Sequence, residues 1–168
     1  DLFIQLTPNQ MRIIKHKWLH NHTELDDKLL DACSCWDSDE IKKYVEEGAN
    51  INCLDEDGLS VLTRAIYNLP YYELYTRGGM TADEVNALKA QDYEKCISTI
   101  DLLLEYGADI DFYGYRGVPP VIAAYRKGHI PIALHLLDCG ANYHLPMSLI
   151  ANVVHSLGEK IKYIYKEL

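Results

Sequence analysis

His16, His20 and His22 stand close to Glu24, and the four-residue step from His16 to His20 puts two imidazoles on one helix face, the geometry for sharing a metal ion. The set stops there. No HExxH motif is present and no further ligand is anchored nearby, so the spacing supports solvated surface histidines. Cys33 and Cys35 are two apart on a predicted helix and point to nearly opposite sides, which disfavours joint ligation and makes both packing residues. Asp55-Glu56-Asp57-Gly58 has the acidic start of a calcium loop but lacks the third early acidic ligand and the closing Glu. A glycine turn with solvated acids accounts for it. Neither a phosphate-cradling glycine loop nor a nucleophile elbow is present. The expectation is a non-catalytic protein with no cofactor and no metal, against a competing class of enzyme or metal protein built on the histidine cluster.

Composition narrows the partners. The chain has 168 residues, 48% of them hydrophobic, enough for one core and too few for a second independent domain. A formal net charge of −9 argues against nucleic acid or an anionic membrane, because both are bound through basic patches that displace counterions. Basic or neutral protein partners fit better. No apolar run approaches the roughly 18 to 20 residues of a membrane helix, and the opening DLFIQLTPNQ has no charged n-region followed by an apolar stretch. The chain as given therefore reads as soluble. Five cysteines, an odd number without paired motif spacing, suit reduced thiols and a cytoplasmic location.

The elements that must position any binding residue come in copies. Leu102 to Asp111 reads LLLEYGADID and Leu134 to His144 reads LHLLDCGANYH, with Gly107 and Gly140 33 residues apart. A third copy, YVEEGANIN at Tyr44 to Asn52, places Gly48 59 residues before Gly107. A period of 33 marks a repeat architecture. The excess of about 26 residues in the longer interval is an insertion, at about 68–95. Within it Thr81-Ala82-Asp83-Glu84 is a capping box, and Val85, Leu88, Tyr93, Ile97, Ile100, Leu103 and Leu104 follow at spacings that predict one long helix into Glu105. Tyr71, Tyr72, Leu74 and Tyr75 are expected to prolong the preceding helix past a kink at Pro70, with Arg77-Gly78-Gly79-Met80 as the turn.

The order of leucine-rich run, Gly-Ala-Asp/Asn, Ile, Asp/Asn, glycine turn and apolar helix resembles the ankyrin repeat, and Gly58-Leu59-Ser60-Val61-Leu62-Thr63-Arg64-Ala65 is a degenerate form of that family's Gly-x-Thr-Pro-Leu-His-x-Ala. The resemblance implies an all-α, ankyrin-type helical solenoid of about three to four repeats, with the insertion in the second repeat and helical caps at both ends. The division expected is one domain over 1–168, with a helical cap at 1–24, repeats at 25–54, 55–112 and 113–143, and a capping repeat at 144–168. Thr7-Pro8-Asn9-Gln10 starts the first cap, whose apolar positions are Met11, Ile14 and Trp18, and two short helices over about 147–156 and 159–167 close the array.

What the resemblance implies about function is protein binding through a concave surface of loop tips and inner helices. Matched residue by residue, that surface carries Leu54, Glu56, Asp57, Leu59 and Arg64 in repeat two, Tyr113, Tyr115, Arg116, Val118, Arg126 and Lys127 in repeat three, and Tyr143 in the last turn. Tyr113, Tyr115 and Arg116 are of the types that dominate interface hot spots. Tyr71, Tyr72 and Tyr75 on the insertion are a second candidate surface, or pack its helices together. The expected function is thus an interaction module, monomeric, with a single protein partner. A narrower form is a small acidic inhibitor or immunity protein that blocks a toxin or enzyme, and a self-associating solenoid is a further alternative.

Overall fold

The computed structural model describes residues 23–112 and 119–142. The expected cap helices at both ends and the histidines His16, His20 and His22 lie outside the described residues. Within them the fold is all-α, with seven helices and one isolated antiparallel bridge between Leu54 and Ser60. The helices are α1 (Glu24–Cys35), α2 (Ser38–Glu46), α3 (Val61–Tyr67), α4 (Glu73–Arg77), α5 (Ala82–Glu105), α6 (Pro120–Arg126) and α7 (Ile130–Asp138).

Local chemistry starts most of these helices where the sequence predicts. Asp37 accepts from the backbone N–H groups of Asp39 and Glu40 at the start of α2, and Thr81 and Glu84 form a complete capping box at the start of α5. The latter helix runs 24 residues and buries Val85, Tyr93, Cys96, Ile100 and Leu103 along one stripe. Pro120 opens α6, where its missing N–H has no helical partner to lose. Gly48, Gly107 and Gly140 each follow a helix with φ between 89° and 105°, and a Cβ at any of them would meet nothing within 4 Å. Backbone conformation alone, not lack of space, selects glycine there.

The helices pair in two rows. Inner helix α1 packs on α3 and α3 on α6, while α2, α5 and α7 form an outer row against them, with α5 touching α7. Leu29, Ile41, Leu62, Ile66, Ile100, Leu103, Ile132 and Leu136 are fully buried between the rows. One helix departs from its sequence expectation. Instead of continuing through Tyr75, α3 stops at Tyr67, because Pro70 has no N–H to donate and disfavours helical backbone at Leu69 before it. Tyr71 and Tyr72 lie in the connection, and Leu74 and Tyr75 belong to the separate short helix α4, packed on α5. The ammonium of Lys127 closes the broken end, donating to the carbonyls of Tyr67 at 2.8 Å and Leu69 at 3.4 Å.

A ladder of short polar side chains ties the repeats together. The carboxylate of Asp26 accepts from the Asn50 N–H at 2.7 Å. Asn50 accepts from the Asn52 N–H, and Asn52 in turn accepts from the Asp109 N–H at 2.7 Å. Asp109 accepts from the Asp111 N–H, and Asp111 from the Asn142 N–H at 2.7 Å. Asp26 is the terminal rung, only 2% exposed, and its second oxygen accepts from the Thr23 N–H at 2.7 Å to cap α1.

Asp26→Ala removes two charge-assisted hydrogen bonds from a buried position, so we expect a loss of about 3 kcal/mol, read as a lower urea midpoint at unchanged slope. The thiols divide as well: Cys33, Cys53 and Cys96 are buried, and burial pushes the Cys33 and Cys96 thiols up to about 12. Cys35, expected to pack, is exposed, since it lies on the side of α1 opposite Cys33. A thiol reagent should titrate Cys35 and Cys139 rapidly in the native protein and the buried three only in denaturant. His129 supplies a pH test. Its Nδ1 lies 3.0 Å from the Tyr93 hydroxyl, and burial, then the charges of Lys127 and Lys89, push it down to about 4, against weaker opposing effects of the Leu69 backbone and Glu73. The neutral form is the folded one, so its contribution is whole above about 6.5 and is lost as pH falls towards 4. Between those values wild type should lose on the order of 1–3 kcal/mol more than His129→Gln, measured by urea melts at each pH.

Candidate partner-binding groove

The turn between α2 and α3 shapes the surface beside α1 and α3. Asp55 builds it: its backbone N–H donates to the Leu59 carbonyl at 3.0 Å, its carbonyl accepts from Gly58, and its Oδ1 accepts from the Leu59 N–H at 2.7 Å. Gly58 takes φ 75°, the left-handed value this turn needs. The other Asp55 oxygen receives the Arg64 guanidinium at 3.1 Å, while Arg64 Nε donates to Ser34 at 2.9 Å and Asp31 stands 4.0 Å away. Arg64 thus braces α1, α3 and the turn.

Around this brace lies an open groove of about 360 Å³, lined by Asp27, Leu30 and Asp31 from α1, by Asp55, Glu56 and Asp57 from the turn, and by Arg64. A second hollow of about 290 Å³ shares Asp57 and Arg64 and continues past Leu59 and Tyr67 along α3. Glu56 and Asp57 are exposed on its rim, whereas Leu59 is 5% exposed and fills the turn. Five carboxylates and one guanidinium therefore line a single depression. Among the described lining residues carboxylates outnumber cations five to one, and Arg64 is itself paired with Asp55, which gives that lining a negative balance.

Of the contact residues the sequence singles out, Glu56, Asp57 and Arg64 come together here. Arg126 is exposed at the end of α6 and does not line the groove. Lys127 is occupied at the end of α3 and stacked over the Tyr67 and Tyr71 rings at 4.9 and 5.1 Å, with burial lowering its pKa. Tyr113, Tyr115, Arg116, Val118 and Tyr143 lie outside the described residues. Sequence reasoning missed Asp27 and Asp31, although their four-residue spacing on α1, an inner helix, was the available signal. On the insertion, Tyr72 is buried and donates to Asp92 at 2.9 Å, while Tyr71 and Tyr75 are exposed. Among the described residues one mixed group can converge on a cation, Asp101, His135 and Cys139 on the outer row.

No family model matches the chain. The ankyrin repeat and KH domain-containing protein mask-1 of Caenorhabditis elegans is 37% identical over 54 residues, which is 32% of this chain, and the match spans 2% of that protein's length. A crystal structure of an ankyrin repeat domain from Acinetobacter baumannii AYE shares 22% identity, covers 68% of this chain and 47% of its own, and has a TM-score of 0.47. Among the described residues no helix is long and apolar enough to cross a membrane. One helix pair and one turn chemistry recur three times among the described residues, the all-α repeat fold that the sequence resemblance to ankyrin repeats implies.

Proposed function

We propose that this protein is a non-catalytic interaction module whose acidic concave groove receives a basic segment of a protein partner. The observation that carries the reading is the lining of Asp27, Asp31, Asp55, Glu56 and Asp57 around an Arg64 that is internally paired, in a chain of net charge −9. Such a surface attracts Lys and Arg side chains and repels nucleic acid and anionic lipid. On the sequence resemblance, the proposed contact residues also include Tyr113, Tyr115, Arg116, Val118, Arg126 and Tyr143. The same charge supports a narrower version, a small inhibitor or immunity protein seated over the basic cleft of a toxin or enzyme.

The test uses an arginine-rich decapeptide as probe, titrated calorimetrically into wild type, Glu56→Lys/Asp57→Lys and Tyr113→Ala/Tyr115→Ala/Arg116→Ala. Binding should weaken with rising salt and fall at least about tenfold in the charge reversal, a change of about 1.4 kcal/mol. Equal binding by wild type and the charge reversal would remove the groove from consideration, and loss only in the aromatic variant would move the site to the repeat-three loop.

A further inference from the structure

The outer row carries a constellation that the concave groove does not use. His135 on α7 and Cys139 at its C-terminal cap are four residues apart and share one helix edge, and Asp101 faces them from α5. Their ligand atoms all lie within 4.8 Å of one another. His135 Nε2 is 2.6 Å from Asp101 Oδ1 and 3.6 Å from Cys139 Sγ. Both neighbours therefore address the same imidazole nitrogen. A catalytic relay needs the carboxylate on one ring nitrogen and the thiol on the other, so this is no nucleophile pair. Donors gathered about one point are the arrangement of a chelate.

We propose that Asp101, His135 and Cys139 form a zinc-binding site on the outer face of the second and third repeats. Tetrahedral bonds of about 2.3 Å to sulfur and about 2.0 Å to nitrogen separate those two ligand atoms by about 3.5 Å, close to the 3.6 Å already present between Cys139 and His135. The carboxylate must open from 2.6 Å to about 3.3 Å from Nε2 to admit the ion, a movement available to Asp101 because its side chain is 53% exposed. The surroundings favour a cation: the negative end of the α7 dipole lies here, and Asp138 adds a second carboxylate next to Cys139. Three protein ligands leave the fourth position to water or to a partner's side chain. On binding, the Cys139 thiol proton leaves to solvent and the imidazole proton resides on Nδ1, so one proton is released per ion.

Zinc, and cobalt as its spectroscopic stand-in, titrated into the full chain tests the site. One ion per chain should bind, cobalt should give a thiolate charge-transfer band that zinc abolishes, and affinity should rise with pH because the thiol must lose its proton. Asp101→Asn, His135→Ala and Cys139→Ser should each weaken binding at least about tenfold, the smallest effect seen even for residues outside the ligand shell. Far-UV circular dichroism and unchanged melting without metal would show that each variant is folded. The control His16→Ala/His20→Ala/His22→Ala/Cys35→Ser should bind like wild type. Zinc held equally by the three site variants, lost in the control, or not bound by wild type at stoichiometric concentrations would overturn the proposal.

Discussion

Everything in this fold hangs from the oxygen atoms of five short side chains, Asp26, Asn50, Asn52, Asp109 and Asp111. Among the described residues the loops between repeats contain no strand to satisfy their backbone N–H groups, and a buried donor left unpaired costs free energy. Asp and Asn answer this because their oxygen sits close enough to the chain to accept from a residue two positions on, or from the loop alongside. A longer side chain would overshoot and an apolar one would offer nothing. The Gly-Ala-Asp/Asn-x-Asp/Asn motif is thus the chemical specification of the joint between repeats.

With the loops fixed, the positions of the inner helices follow, and the concave surface follows from them. Asp55 folds the turn that projects Glu56 and Asp57, Arg64 ties that turn to α1 through Ser34, and Asp27 and Asp31 complete the lining. Charge in the groove is a by-product of scaffold geometry acting on an acidic sequence. The outer row shows the same dependence: Asp101 reaches His135 only because α5 and α7 are held side by side.

Features that depend on neighbours in sequence were legible in advance. The repeat glycines, the Asp37 and Thr81 caps and the full extent of α5 all follow from residues within a few positions of each other. Features set by distant residues were not. Lys127 reads as a contact residue until its ammonium is seen at carbonyls some 60 positions earlier. Cys35 reads as core until its side of α1 is known to face solvent. Asp26 looks like one of several acids in a first helical turn, and its second bond, to Asn50, is invisible without the fold. Asp101 and His135 are 34 residues apart, so no local motif announces their meeting.

The ladder also has a direction. At the three junctions among the described residues the accepting side chain precedes the donating N–H in the chain: Asp26 before Asn50, Asn52 before Asp109, Asp111 before Asn142. During synthesis each acceptor is therefore already outside the ribosome, waiting, when its donor emerges. The array can consolidate behind the growing end one joint at a time, and its first joint is anchored on a helix that caps itself.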